Sequence, residues 1–574
     1  MTLDFGIKQL KFSWNDYPGA KTYRLMEYRV GFGSKEVGIG ILTTSKLNTD
    51  GSKTLTKILE IPIHKTDWIN LNYLLEMCDV KCISSNIVET LNQDSKTIGY
   101  FKASNTGLLD FFGRSVAISD DGLTLAISAD NESNSQTKII NNKNFPLPST
   151  NNLSGGYGAV YIFTRNNIGN WVQQAYIKGH NTGLDDSFGY SISLSGDGKT
   201  LIVGSPFEDS GVPGVYNENG SPMPDNNTTI DAGAAYVFIR NSKNNWIQQT
   251  YIKASNASAN HWFGYKVALS RDGQTIAVSA IGEDTDQTSI DNVGGISPTQ
   301  ASNNNAAPNA GAVYIFSRLV DNWMPEAYIK PINLDADDQF GYSIALNYNG
   351  KSLAASSRLE DNKFTGVKNT NFPTRATDNN TIVDSGAVYI FSRNSVRNWT
   401  QQAYIKASNT GTNDKFGFSV TLNDIGDTLA VSSVLEDSKQ TNVINTNGFP
   451  TPTTDIATDT TSTADSGAVY VYTKNTAGNW LQQAYIKASN SGGGDYFGWS
   501  LALSGDGQSL VAGAIFEDSK QSGIKINNFP SPVTDNNNLT DSGAVYLYTQ
   551  DSNSMWSQQS FIKASNAGLN DNFG

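Results

Sequence analysis

Carboxylates are the side chains best placed to do chemistry in this chain of 574 residues, because they return in pairs at regular intervals. Glu208-Asp209, Glu283-Asp284, Glu360-Asp361, Glu436-Asp437 and Glu517-Asp518 recur, with Glu132 in the first copy. A second set, Asp231, Asp384, Asp465 and Asp541, lies just before a Gly-Ala-rich segment. A third, Asp110, Asp186, Asp338, Asp414, Asp495 and Asp571, sits two residues before a Phe-Gly pair. Clustered oxygens suit a hard cation such as calcium, which takes six or more of them. The expected metal ligands are therefore Asp186, Glu208, Asp209, Asp231, Glu436, Asp437, Asp465, Glu517, Asp518 and Asp541. The competing use of these side chains is to accept backbone N–H bonds and hold tight turns. Recurrence in copy after copy is the opposite of a single active site.

Other reactive types are sparse. The three histidines, His64, His180 and His261, neither recur nor pair with a cysteine or a serine of nucleophile-elbow type. A nucleophile, base and orienting group need such partners, so the chain is read as no enzyme. His261 stands where other copies carry the Asp before Phe-Gly. Cys78 and Cys82 flank a short connection, which fits a hairpin disulfide better than zinc with its four ligands. That pairing leans toward an oxidising compartment. Four aromatics precede proline in long Asn- and Thr-rich segments: Phe145, Phe372, Phe449 and Phe529. Exposed over an acidic rim they would suit sugar rings, which makes them the candidate ligand contacts. In the alternative each pins its own loop. Trp171, Trp246, Trp323, Trp399, Trp480 and Trp556, one per copy, read as packing between copies.

The elements that must position these residues repeat as well. Phe-Gly returns at Phe112, Phe188, Phe263, Phe340, Phe416, Phe497 and Phe573. Such a unit cannot bury its apolar face alone, so neighbours stack. The copy beginning at Phe188 holds four strand patterns. Phe188 to Ser195 alternates up to the turn Gly196-Asp197-Gly198. Leu201-Ile202-Val203-Gly204 is a buried run, and Ala235-Tyr236-Val237-Phe238 and Trp246 to Lys253 alternate again. A four-stranded antiparallel meander repeated radially is a β-propeller blade. Blades fall at about 112–187, 188–262, 263–339, 340–415, 416–496 and 497–572. Tyr100 to Asn105 matches a fourth strand and is placed to close a ring. Six complete blades plus a last Phe-Gly make a seven-bladed ring the economical expectation. Residues 1–93 stand outside the repeat and read as a small β-sandwich, with 94–99 as a linker.

The blade resembles the FG-GAP repeat of integrin α subunits and of bacterial surface and secreted proteins. The likeness rests on Phe-Gly opening the first strand, Val203 to Pro206 or Ala512 to Ala514 closing the second, and Gly-Ala-Val-Tyr in the third. Residues 1–93, with Trp14, Tyr23, Leu25 and Tyr73, resemble a fibronectin type III module. The resemblance implies an all-β propeller that binds a ligand or partner. Integrin-type blades often carry a DxDxDG calcium loop between first and second strands. Here those turns are short, as at Asp120-Asp121-Gly122 and Gly505-Asp506-Gly507, and lack the spare carboxylates. Calcium stays an open expectation, and no other cofactor is indicated.

Composition narrows the partners. A net charge of −13 and a pI near 4.8 argue against nucleic acid, which calls for a basic face. No run approaches the roughly 18 apolar residues of a membrane span, and the opening residues do not form a leader. The expectation is an extracellular or cell-surface adhesion module of bacterial type, binding a protein or glycan through the face with the long second-to-third-strand loops. The alternative is a carbohydrate-binding or structural module of a larger secreted enzyme or toxin.

Overall fold

The computed structural model describes residues 1–6, 9–17, 20, 22–29, 33–39, 44–47, 53–60, 71–79, 81–89, 99–146, 155–166, 169–217, 226–292, 304–438, 440–445, 464–521, 523–525 and 537–574. Among them every regular element is a strand.

Among the described residues the N-terminal part has nine strands: β1 (Thr2–Gly6), β2 (Gln9–Asn15), β3 (Thr22–Arg29), β4 (Gly33–Ile39), β5 (Thr44–Leu47), β6 (Lys53–Glu60), β7 (Asn72–Cys78), β8 (Cys82–Ser84) and β9 (Val88–Glu89). One sheet runs β1-β2-β6-β5, the other β4-β3-β7-β8 with β9 also on β7. Alternate residues of β2, namely Leu10, Phe12 and Trp14, share one core with Leu55, Leu25, Tyr73 and Leu75 from both sheets. That is the two-residue period of a strand with one buried face. Cys78 and Cys82 stand opposite each other across β7 and β8 and form a disulfide. His64 and residues 94–98 of the expected linker lie outside the described residues.

Six sheets follow, each with its first four strands in chain order and antiparallel. In blade 2 these are Ser191–Leu194, Thr200–Ser205, Ala234–Arg240 and Trp246–Lys253. The second strand is buried along its whole length, as its unbroken apolar run requires. Four strands were expected; blades 1, 2, 4, 5 and 6 have a fifth. It comes from the long connection between the second and third strands and pairs with the outer edge of the fourth. The fifth strands are Ile140–Asn141, Gly214–Asn217, Val367–Lys368, Ile444–Asn445 and Gly523–Lys525. In blade 3 a single bridge, Asp291 to Tyr328, takes its place. Two to four residues with little apolar content leave too weak a pattern to read from sequence.

The Phe-Gly and Gly-Ala motifs are two sides of one joint between blades. Phe188 is fully buried, edge-on to Tyr236 and Phe238 of its own blade. Its N–H donates to the Tyr157 carbonyl of the preceding blade. There Gly158 has φ +76°, and a Cβ on it would lie 2.0 Å from the Phe188 carbonyl oxygen. Only glycine allows that approach. The same joint links Gly233 to Phe263, Gly311 to Phe340, Gly386 to Phe416, Gly467 to Phe497 and Gly543 to Phe573. Each apolar core accordingly spans two consecutive blades.

One side of blade 1 is open. Val116 is 63% exposed, whereas the matching Ile192, Val267 and Val420 are each 6% exposed beneath the blade before them. Tyr100 to Asn105 lies along blade 1 without strand pairing, yet Phe101 packs on Phe163 and Trp171. A cleft of about 320 Å³ between residues 99–112 and 564–573 is flanked by Phe101, Phe112 and Phe573.

Candidate functional site

The carboxylate sets do converge on one face, and a lysine sits at the centre of each. Glu208 meets Lys253 at 2.5 Å, with both side chains excluded from water. Glu132 pairs with Lys178, Glu360 with Lys406 and Glu517 with Lys563, each at 2.6 Å. Glu436 pairs with Lys487 at 2.7 Å, and Glu283 with Lys330. Each lysine closes the fourth strand of its own blade. Burial holds the Lys178, Lys253 and Lys330 ammonium groups below the usual lysine range, while the facing glutamates pull them back up. An asparagine from the preceding blade completes each glutamate: Asn181 on Glu208, Asn256 on Glu283, Asn409 on Glu436, Asn490 on Glu517. Its amide oxygen accepts the third-strand tyrosine hydroxyl, as Asn181 does from Tyr236 and Asn409 from Tyr470. The glutamates thus clamp blade to blade.

The aspartates hold turns. Asp209 accepts the Asp231 N–H at 2.9 Å, Asp437 that of Asp465 at 2.7 Å, and Asp518 that of Asp541 at 2.8 Å. Asp231, Asp465 and Asp541 occupy the left-handed region, with φ between 51° and 57°, which Asp tolerates better than most residues. Asp186 accepts the Gly183 N–H at 2.6 Å. Among the described residues, the one trio of Asp, Glu, His or Cys donor atoms within 4.8 Å of one another is Glu76, Cys78 and Cys82. Its sulfurs are spent in the disulfide. The geometry favours the turn-holding use of the acidic residues. His261, in place of an aspartate, is buried with neither ring nitrogen hydrogen-bonded.

Of the four loop aromatics, Phe145 and Phe372 are half-buried and pack on the cores of blades 1 and 4. Phe449 and Phe529 lie outside the described residues. At the outer rim the fifth strand supplies a latch. The Asn141 side chain both accepts from the Trp246 N–H and donates to its carbonyl, as a neighbouring strand would. Asn217, Asn292, Asn369 and Asn445 grip Trp323, Trp399, Trp480 and Trp556 in the same way. Those indoles are buried between blades.

The residues that differ from copy to copy meet at the axis. Immediately after each Phe-Gly stand Arg114, Tyr190, Tyr265, Tyr342, Phe418 and Trp499. They touch in sequence around the mouth of the central channel. Ring centroids are 5.1 Å apart for Tyr190 and Tyr265, 5.6 Å for Tyr265 and Tyr342, 5.4 Å for Tyr342 and Phe418, and 4.8 Å for Phe418 and Trp499. The Arg114 guanidinium lies 4.5 Å from the Tyr190 ring centre and Arg358 4.1 Å from that of Tyr342. All five residues are half-buried. Below them the first strands line a cavity of about 360 Å³. At the far end Arg271 reaches Asp120 at 2.7 Å and Asp424 at 3.8 Å. There backbone bonds such as Asp120 to Gly196 and Asp424 to Gly505 stitch the turns together.

Comparison with known proteins assigns the repeat. Residues 171–238, 246–294, 399–443 and 480–524 match the model of the FG-GAP repeat. These are FG-GAP repeats. No curated protein matches the chain. Among solved structures, an acylaminoacyl peptidase from Pyrococcus horikoshii aligns over 97% of this chain at 8% identity and a TM-score of 0.31. The alignment spans 52% of that chain's length, and a likeness so weak carries no argument. FG-GAP repeats build a β-propeller module used in adhesion or binding. In this FG-GAP propeller the repeated residues are consumed by the joints, clamps and latches. Recurrence in the sequence marks these contacts, whereas the axial position varies in residue type. Its signal was present: an aromatic residue follows Phe-Gly in five of six complete copies, while its type varies.

Proposed function

We propose that this chain is a non-enzymatic extracellular binding module whose ligand is taken at the Phe-Gly face of the propeller. The observation that carries the reading is the arc of five half-buried aromatic rings around the mouth of a channel whose other end is spanned by the ion pairs of Arg271 with Asp120 and Asp424. Apolar faces with a few polar groups, kept open toward solvent in a cleft, are what a binding site needs. The disulfide supports a location in an oxidising compartment. The sheet orders β1-β2-β6-β5 and β4-β3-β7-β8 support a fibronectin-like sandwich beside it. The open side of blade 1 supports a seven-bladed ring in which Tyr100 to Asn105 is a fourth strand.

The second reading is a carbohydrate-binding module of a larger secreted enzyme or toxin, favoured by the continuous run of aromatic rings rather than by any catalytic group. A combined array of glycans and cell-surface proteins tests the shared claim. Binding to the top-ranked ligand is expected to fall at least tenfold for Phe418→Ala/Trp499→Ala and to persist for Phe372→Ala. The reverse pattern would move the site to the loops.

A further inference from the structure

Charge at the mouth of the channel is opposite to that of the molecule. The chain carries −13 overall, yet Arg114, Lys266 and Arg358 gather around the axial aromatics. Lys266 stands where five other blades have Ser115, Ser191, Ser343, Ser419 and Ser500. Three of those serine hydroxyls accept an N–H from the next blade's first strand, as Ser191 does from Val267. The lysine gives up that bond. Its ammonium has no carboxylate within ion-pair distance among the described residues. The charged group acting on it is Arg114, which, with burial as the larger cause, lowers it to about 8. Blades 1 and 3 are not neighbours, so their cations can meet only at the axis. Arg114 already has Asp130 at 3.6 Å, whereas Arg358, like Lys266, has no carboxylate within ion-pair distance among the described residues, and an anion placed between these cations relieves their repulsion.

Three further observations fix the ligand's character. The rings of Tyr190 and Tyr342 already hold guanidinium groups of this chain, so a cationic ligand finds those faces taken. Tyr265 packs between Tyr190 and Tyr342, which groups three phenols beside the cations. Phe418 and Trp499 continue the arc without any cation over them. Together they offer a carboxylate seat beside an aromatic arc, whose last ring, Trp499, also stacks on Tyr496 and meets Phe516.

We infer that the axial mouth takes an acidic sugar, an oligosaccharide whose carboxylate lies against Arg114, Lys266 and Arg358 while its pyranose rings pack on the aromatic arc. The inference rests on the proposed use of the Phe-Gly face for binding. A rigid ring covers a flat aromatic face at lower entropic cost than the flexible side chains of an acidic peptide.

The test is titration of the whole chain with tetragalacturonate, a neutral galactose tetrasaccharide and an oligoglutamate peptide, followed by calorimetry. Tetragalacturonate is expected to bind at least tenfold tighter than either, more weakly as salt is raised. Lys266→Gln and Arg358→Gln should each weaken it about tenfold or more at unchanged melting temperature, and Lys266→Arg should restore it. Equal affinity for the neutral sugar would overturn the acidic inference and leave the binding face intact. Tighter binding of oligoglutamate would overturn the sugar. If none of the three binds, while an array ligand does and is lost with Trp499→Ala, the inference fails and the proposed function stands. An array ligand indifferent to Trp499→Ala would defeat the proposed function itself.

Discussion

At the residue scale, the buried glutamate–lysine pair is the feature with the largest energetic consequence. Lys406 donates to Glu360 at 2.6 Å and to the Ser385 hydroxyl at 2.7 Å, with no exposure. Removing one partner strands a charge inside the blade, which typically costs about 3–5 kcal/mol. Urea denaturation of Lys406→Met should show a loss of that order; a loss under ~1 kcal/mol would mean that the pair is solvated. His261 gives a pH signature. Burial lowers its pKa, Lys330 adds to the lowering, and Glu283 and Asp284 oppose it. The folded chain therefore binds fewer protons here than the unfolded chain does. Stability is full above the ordinary histidine value of about 6.5 and falls as pH drops below it. Between pH 7 and 5 the wild-type protein should lose more stability than His261→Asn. Equal losses would show that His261 protonates freely in the fold.

At the scale of elements, the repeated motifs were legible because each one makes the same contact in blade after blade. Phe188 and Gly158 could be recognised as structural from their spacing, although the joint between them needed both blades in view. The fifth strands were not legible. Val367–Lys368 is two residues long, and its place comes from Asn369 gripping the backbone of Trp480 at 2.7 and 3.2 Å. A side-chain amide acting as a strand neighbour leaves no periodic trace. Two such bonds, each worth about 0.5–1.5 kcal/mol net, predict a loss of about 1–3 kcal/mol for Asn369→Ala by denaturant titration. No change would mean that indole packing alone sets the rim.

At the scale of the molecule, the all-β architecture followed from the period, whereas the site did not. The acidic residues recur from copy to copy, and in the fold Glu436 faces Lys487 while Asp437 holds the Asp465 N–H. Arg114, Tyr190, Phe418 and Trp499 escaped notice because they vary in type and converge only when the blades close round an axis. The division of labour between repeated clamp and varied mouth is the central claim. It is tested most directly by measuring melting temperature and ligand binding together for Lys406→Met and Trp499→Ala, with a ligand found on the array. The account predicts that Lys406→Met melts lower yet binds normally while folded, and that Trp499→Ala keeps most of its melting temperature yet loses binding. Loss of binding in folded Lys406→Met, with Trp499→Ala unaffected, would contradict it.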